Sequence, residues 1–170
     1  MALLAVTVLG HDRPGIIADV TGALAGLGGN LEDSSMTRLR GHFAMTLVVR
    51  ADAAPDAVEG LLAPLLADLV VSVRVLSDEP EPAPSGQGYV LSVHGGDRPG
   101  IVSTVTRLLA SLGGNVTDLT TRLVGDLYVM TAEVELPVEV DVAALQSQLA
   151  DVARGLGVEA TLHPLEPDVL

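Results

Sequence analysis

The sequence predicts an α+β protein made of two tandem copies of one unit with the element order βαββαβ. A pentapeptide at residues 12–16 (DRPGI) returns unchanged at residues 97–101, 85 positions further on. In both copies an apolar run precedes the pentapeptide, a helical pattern follows it, and Gly-Gly-Asn comes after the helix. Self-similarity over most of the length indicates two small domains rather than one medium-sized domain.

Each copy begins with a strand and a helix. Residues 3–9 (LLAVTVL) form an apolar, β-branched run, which is typical of a strand buried on both faces. Pro14 suits the first helical position, where its preset φ fits and its missing N–H has no intrahelical partner. Gly28 and Gly29 end the helix, one of them in the left-handed conformation of a C-cap. The helical positions expected to face inward are Ile16, Ile17, Val20, Leu24 and Leu27.

A hairpin, a second helix and a closing strand complete the first copy. Residues 30–40 and 43–50 both alternate, with the turn at residues 41–42. Pro55 opens a helix that Pro64 breaks near Ala63, because an interior proline costs about 3 kcal/mol. Residues 69–76 form the last strand. The inward positions of the third strand are Phe43, Met45, Leu47 and Val49, and those of the helix are Val58, Leu61, Leu62, Leu65 and Leu66.

The second copy repeats this order after a linker. Residues 77–88 (SDEPEPAPSGQG) are acidic and rich in Pro, Gly and Ser, which predicts domains at residues 1–76 and 89–165 joined by a semi-extended segment. In the second domain Asp141 caps the last helix. The remaining elements are strands at 89–94, 115–124, 126–136 and 157–163, a first helix at 99–112, and a loose tail from 164 to 170.

The element order predicts the ferredoxin-like, or split-βαβ, arrangement in each domain. This arrangement is a four-stranded antiparallel sheet with two helices on one face and the first and third strands in the centre. The other face is uncovered within one domain. Thr7, Met36 and Thr46 are expected there, in contact with water unless another surface covers them.

The composition excludes several classes of function. The chain has no Cys and no Lys, which rules out disulfides, thiolate metal sites, Schiff-base chemistry and a P-loop lysine. Its formal net charge of −13 disfavours direct binding of nucleic acid. No apolar run is long enough to span a membrane and the start lacks a basic leader region, so a soluble, cytoplasmic protein is expected.

The repeated turn is the candidate binding element. The first N–H groups of a helix lack intrahelical acceptors and lie at the positive end of its dipole, so a small anion such as a carboxylate fits there. Gly15 and Gly100 leave that backbone accessible. Asn30 and Asn115 offer both a donor and an acceptor, as an α-amino-acid head group requires. The turn and the Asn need not meet within one copy, but they can face each other across two.

A purely structural interpretation competes with this one. Asp12 can accept hydrogen bonds from the first helical turn, and Gly-Gly-Asn is a good helix stop by itself. Residues 26–29 (GLGG) look like a dinucleotide fingerprint but follow a helix rather than a strand, so that interpretation is rejected. The sequence contains no cluster of nucleophilic or acid–base residues, and its histidines lack the spacing of metal ligands. No enzymatic activity, cofactor or metal site is therefore predicted. The chain has four histidines: His11, His42, His94 and His163. His11 or His94 could sense pH or a ligand, and the alternative is that both are ordinary surface histidines.

The order strand, DRPGI, helix, LxxLGGN, strand resembles the ACT domain, a small regulatory βαββαβ module. Two such domains in tandem resemble the glycine cleavage system transcriptional repressor family. The resemblance implies amino-acid binding between paired domains and a regulatory protein partner rather than DNA contact. A homodimer is expected separately, from the open sheet edges and faces. The ligand-binding residues that it implies are Asp12, Arg13, Gly15, Ile16, Asn30, Asp97, Arg98, Gly100, Ile101 and Asn115.

Two alternatives to a ligand sensor remain: a pure interaction module, in which the turn only starts a helix, and a regulatory subunit for a separate catalytic chain. The copies also differ before the motif, with His11 in one and Gly96 in the other. This difference and Pro64 put the equivalence of the two sites in doubt.

Overall fold

The computed structural model describes residues 1–79 and 86–165. The chain divides into two compact units, Met1–Pro80 and Glu81–Leu170. Residues 80–85 of the predicted linker and residues 166–170 of the predicted tail lie outside the described part.

The first unit has the predicted βαββαβ order. Its sheet is antiparallel throughout with the strand order β2-β3-β1-β4, so the first and third strands are central, as predicted. The elements are β1 (Ala2–His11), α1 (Ile16–Gly26), β2 (Asn30–Leu39), β3 (His42–Ala51), α2 (Pro55–Leu62) and β4 (Leu69–Val75).

The second unit repeats the topology with the strand order β6-β7-β5-β8. Its first strand begins at Gly86 rather than at Tyr89, because Gly86 and Gly88 already pair with Pro137 and Glu135 at the end of the third strand. The elements are β5 (Gly86–Gly96), α3 (Ile101–Ser111), β6 (Asn115–Val124), β7 (Leu127–Pro137), α4 (Val142–Leu156) and β8 (Val158–Pro164).

Each unit has its own aliphatic core between its helices and one face of its sheet. No polar or charged side chain is buried among the described residues. The predicted inward face of β3 is confirmed. The buried side chains of the two central strands in the first unit are Leu4, Val6, Val8, Phe43, Met45, Leu47, Val49 and Ala51.

Helix α1 begins later than the sequence predicted. Gly15 has a φ of 93° and is the N-cap, so the first helical residue is Ile16 and Pro14 lies in the turn before it. The inward face is also narrower than predicted, since Ile17 and Leu27 are 44% and 37% exposed. A residue with a left-handed φ cannot lie inside a right-handed α-helix, so residues 12–15 form a turn and the helix starts at Ile16.

Helix α2 ends at Leu62, as predicted from Pro64. The proline has no N–H to donate to the preceding turn, so the regular helix stops after eight residues. Leu61 and Leu65, predicted to face inward, are 37% and 46% exposed, whereas Leu66 is buried.

The uncovered face of the first sheet carries Thr7 and Thr46, both exposed, as predicted. The prediction for Met36 was wrong, because Met36 pairs with Met45 and therefore faces the helix side. The cause is a β-bulge at Glu32, where the β2–β3 register shifts by one residue. A shift of one residue moves every later side chain of the strand to the opposite face.

Candidate functional site

The repeated turn has the same backbone geometry in both units. Gly15 and Gly100 are N-caps with φ values of 93° and 94°, and no side chain caps either helix. By contrast, Asp141 caps α4 by accepting from the Ala144 N–H at 3.0 Å, as predicted. The first N–H groups of α1 and α3 therefore have neither an intrahelical acceptor nor a capping side chain.

Asp12 does not form the capping contact that the structural interpretation required. Its backbone N–H donates to the Gly41 carbonyl at 3.0 Å, which fastens the turn to the β2–β3 hairpin. Its carboxylate lies 3.5 Å from an Nη of Arg38, also outside the helix. Asp12 therefore positions the turn and leaves the helix start open.

Arg13 is held within the first unit. Its guanidinium lies 3.2 Å from the carboxylate of Asp19 and 3.6 Å from that of Asp68. It also donates to the Leu65 carbonyl at 3.1 Å. These contacts tie the turn to the segment between α2 and β4, so Arg13 is engaged by its own unit in this structure.

Arg98, the counterpart of Arg13, lies against the C-terminal end of α4. A Cβ placed on Gly157, the left-handed C-cap of that helix, would stand 3.3 Å from the guanidinium carbon of Arg98. Both arginines thus lie near the end of the second helix of their own unit, where the negative end of a helix dipole favours a cation.

The turn of the first unit borders a cavity of about 480 Å³. Its lining is mainly apolar, with the turn itself on one side and side chains from the sheet on the other. The lining residues are Asp12, Arg13, Pro14, Gly15, Ile16, Ile17, Ala18, Met36 and Phe43. An open helix start beside an apolar cavity can accept a small ligand with an anionic head and an apolar body.

The second unit replaces the apolar cavity walls by polar ones. Tyr128 and Thr121 stand 85 positions after Phe43 and Met36. Burial raises the pKa of Tyr128. A hydrogen bond with Thr121 partly offsets this rise, and the negative charge of Asp97 adds to it. The two turns thus share a backbone but differ in the side chains beside it.

The structure does not bring Asn30 to the turn of its own unit. Asn30 pairs with Arg50, which pairs with Leu3, whereas the turn follows His11. Eight residues of β1 separate these positions, roughly 26 Å at the rise of a strand. In the second unit Asn115 pairs with Glu135, at the matching far end of the sheet.

Sequence reasoning missed the side chains that face the turn across the cavity. Phe43 is a core residue, as predicted, but it also lines the cavity. Alternation counted from Asn30 places Met36 on the wrong face of the sheet, because it does not include the bulge at Glu32. Counting the alternation of β2 backward from the hairpin turn, rather than forward from Asn30, gives the observed face of Met36.

The chain is a tandem βαββαβ protein. Each of its two ferredoxin-like units has a glycine-capped turn between the first strand and the first helix. The family model of the ACT domain matches residues 2–75, and a second ACT domain model matches residues 89–151. The chain therefore belongs to the ACT domain family and carries two ACT domains in tandem.

Individual relatives agree with this assignment. A solved structure of an unknown protein from Galdieria sulphuraria is 31% identical, covers 97% of this chain and 99% of its own, and superposes with a TM-score of 0.81. The glycine cleavage system transcriptional repressor of Escherichia coli is 28% identical over 123 residues, which are 70% of this chain and 64% of the repressor. A UPF0237 protein of Methanopyrus kandleri is 49% identical over 49 residues, or 29% of this chain.

The matches to curated relatives are partial in length. They span 54% of the Methanopyrus kandleri protein and 58% of a UPF0237 protein of Streptococcus pneumoniae. A candidate glycine cleavage system transcriptional repressor of known structure, 18% identical with a TM-score of 0.70 over 97% of this chain and 98% of its own, shares the fold. None of the helices in the described ranges is long and apolar enough to cross a membrane.

Proposed function

We propose that this chain is a non-catalytic regulatory protein that senses a small ligand, most simply an amino acid, at interfaces between ACT domains. The ligand carboxylate accepts hydrogen bonds from the first N–H groups of α1 or α3, and ligand binding changes which protein partner the chain can engage. The observation that carries the proposal is the pair of helix starts capped only by left-handed glycines, at Gly15 and Gly100.

The cavity beside the first turn supports an amino acid over a bare anion. Its walls at Met36, Phe43 and Ile17 are apolar, so they suit an aliphatic or aromatic ligand side chain. The polar Tyr128 and Thr121 of the second unit favour a smaller or more polar ligand there. We therefore propose that the two sites differ in affinity.

A complete site needs a second domain, because the Asn of each unit lies at the far end of its own sheet. We propose that a homodimer supplies it through the edge strands β2 and β6. Leu31 and Leu39 of β2 are 46% and 48% exposed, and an edge strand with unpaired backbone groups is a ready pairing surface. Antiparallel pairing of two such edges brings Asn30 of one domain toward the turn of the other.

The regulatory partner is proposed to be a protein rather than DNA. One relative is named a transcriptional repressor, yet this chain has a formal net charge of −13, which repels phosphate backbones. A cytoplasmic location and a role in amino-acid metabolism are part of the same proposal.

Calorimetry with each of the twenty amino acids tests the proposal, using Gly15→Ala and Gly28→Ala as a matched pair. Both glycines have a positive φ and neither has a close neighbour around an added Cβ, so both changes impose similar backbone strain. Only Gly15 borders the cavity. Loss of binding in Gly15→Ala with retention in Gly28→Ala supports the site, whereas equal behaviour of the two variants or no binding at all contradicts it.

A pure interaction module is the second candidate, and the first unit itself favours it. Arg13 is engaged by Asp19 and Asp68, and Gly29 is required because an added Cβ would stand 2.9 Å from the Leu24 carbonyl oxygen. These residues have structural tasks without any ligand. Strong dimerisation together with no response to any amino acid would favour this function, either alone or as the regulatory subunit of a separate enzyme.

A further inference from the structure

His11 and His42 form a cross-strand pair at the end of the first sheet. They lie directly opposite each other on β1 and β3, and their ring centroids are 4.7 Å apart with an interplanar angle of 31°. The Asp12 N–H donates to the Gly41 carbonyl just beyond them, so the histidines occupy a non-hydrogen-bonded pair, in which side chains approach most closely. Both rings are on the uncovered face of the sheet and exposed.

The ring nitrogens of this pair are available to a ligand. Within residues 1–79 and 86–165, neither imidazole makes a hydrogen bond or an ion pair, and the contact between the two rings is their only recorded interaction. A metal ion bound to two imidazoles needs each nitrogen at about 2.0–2.1 Å. A centroid separation of 4.7 Å leaves the two rings close enough for one ion to contact a nitrogen of each.

We propose that His11 and His42 chelate one divalent transition-metal ion, such as Zn²⁺, Ni²⁺ or Cu²⁺, with water in the remaining coordination positions. Imidazole is a preferred ligand of these ions, whereas Mg²⁺ and Ca²⁺ require oxygen ligands. The described residues contain no group of three or more His, Cys, Asp or Glu side chains able to hold a metal, so the site has two protein ligands and stays open.

The site belongs to the first unit alone. The positions that correspond to His11 and His42 in the second unit are Gly96 and Leu127, which pair in the same register. The other two histidines do not form such a pair, since His94 lies opposite Glu159 and His163 lies opposite Val90, four residues away along β5.

A bound ion would join the end of β1 to the start of β3 beside the candidate turn. His11 directly precedes Asp12, and His42 directly follows Gly41, the two residues that fasten the turn to the hairpin. The metal therefore reinforces a connection that already holds the turn in place.

Zinc titration of the chelator-treated full chain, purified without a histidine tag, tests the site. Isothermal calorimetry is expected to find one Zn²⁺ per chain. His11→Gln and His42→Gln are each expected to weaken binding about tenfold or more, since removing either ligand removes the chelate. His94→Gln and His163→Gln are the controls and are expected to leave the affinity unchanged. All four side chains are exposed, so the substitutions spare both cores.

Three results would overturn the proposal. The first is no saturable binding at Zn²⁺ concentrations up to about 1 mM. The second is binding that neither His11→Gln nor His42→Gln weakens. The third is binding that is lost in His94→Gln, which would place the ion at the His94–Glu159 pair, whose atoms are 3.2 Å apart.

Discussion

Among single residues, the glycines of the repeat act mainly through the backbone conformations that they allow. Gly15 supplies a left-handed N-cap, Gly28 supplies a left-handed residue after α1, and Gly29 supplies room beside the Leu24 carbonyl. The sequence indicated a turn and a helix stop from these glycines. It could not indicate that Arg13 is held by Asp68, because that contact joins residues 55 positions apart through the folded chain.

Two glycines of the first unit are expected to respond to alanine in opposite directions. Gly22 lies inside α1 with nothing within 4 Å of an added Cβ, so Gly22→Ala should stabilise by about 0.5–1 kcal/mol. At Gly29 the added Cβ would stand 2.9 Å from the Leu24 oxygen and 3.1 Å from the Val49 side chain, so Gly29→Ala should destabilise. Urea denaturation of both variants checks this, and equal shifts would contradict the assigned role of Gly29.

Replacing Arg13 by Gln should destabilise the first unit by about 0.5–1 kcal/mol, because the partially exposed contacts with Asp19 and Asp68 are weakened by solvent. Arg107→Gln is the control, since Arg107 is exposed on α3 and forms no ion pair with any described residue. Denaturation midpoints measure the effect. A neutral Arg13→Gln would mean that the turn does not depend on its link to the α2–β4 segment.

At the scale of elements, the repeat made the order of strands and helices predictable, since each pattern occurs twice. The predictions that were wrong, on the faces of β2 and on the starts of β5 and α1, have local physical causes. The bulge at Glu32 reversed the faces of β2, and Gly86 to Gly88 gave no apolar signal for the start of β5 although they pair with β7. The left-handed Gly15 moved the start of α1. A pattern of side chains alone carries none of these backbone features.

The bulge also places a charged cluster at the end of β3, which predicts a pH dependence. Arg50 contacts Glu32 at 2.7 Å and Asp78 at 2.9 Å, and the hydrogen bond from Arg50 lowers the pKa of Asp78 below its ordinary 3.8. A carboxyl whose pKa falls on folding stabilises the fold above its ordinary pKa, and this contribution disappears as the pH falls through the lower folded value.

Asp78→Asn is therefore expected to lower stability at neutral pH and to approach the unsubstituted chain as the pH falls through the lowered folded pKa of Asp78. Glu79→Gln, which changes a neighbouring exposed carboxyl, is expected to have little effect at either pH. Thermal denaturation across this range provides the measurement. A difference between Asp78→Asn and the unsubstituted chain that does not vary with pH would show that the Arg50 contact is not electrostatic.

In the molecule as a whole, ligand binding as proposed requires the pairing of domains. Each unit separates its turn from its Asn by the length of a sheet, and each leaves one long edge strand exposed. The sequence predicted the duplication and the family, but it left open whether the two motifs meet within a copy. It could not predict which histidines meet, because His11 and His42 are joined only by strand pairing.

The proposed homodimer predicts that charges added to the edge strands β2 and β6 disrupt the dimer, whereas a charge added to the opposite edge strand β4 does not. Leu31→Glu together with Leu119→Glu places carboxylates on β2 and β6, where the leucines are 46% and 42% exposed, and should shift the chain to monomers. Val70→Glu on β4, at the opposite edge, should leave the dimer intact. Light scattering after size-exclusion chromatography measures the mass. Monomers in the unsubstituted chain, or equal effects of both changes, would contradict edge pairing.

The most direct test of the central claim is backbone-amide NMR of the full chain during titration with the amino acid that binds most tightly. Ligand binding at the helix starts predicts saturable shifts of the amides of residues 15–18, of residues 100–103, or of both, since these N–H groups would donate to the ligand carboxylate. It also predicts shifts at Asn30 or Asn115 across the domain interface. Saturable shifts confined to other parts of the chain, or no shifts with any amino acid, would contradict it.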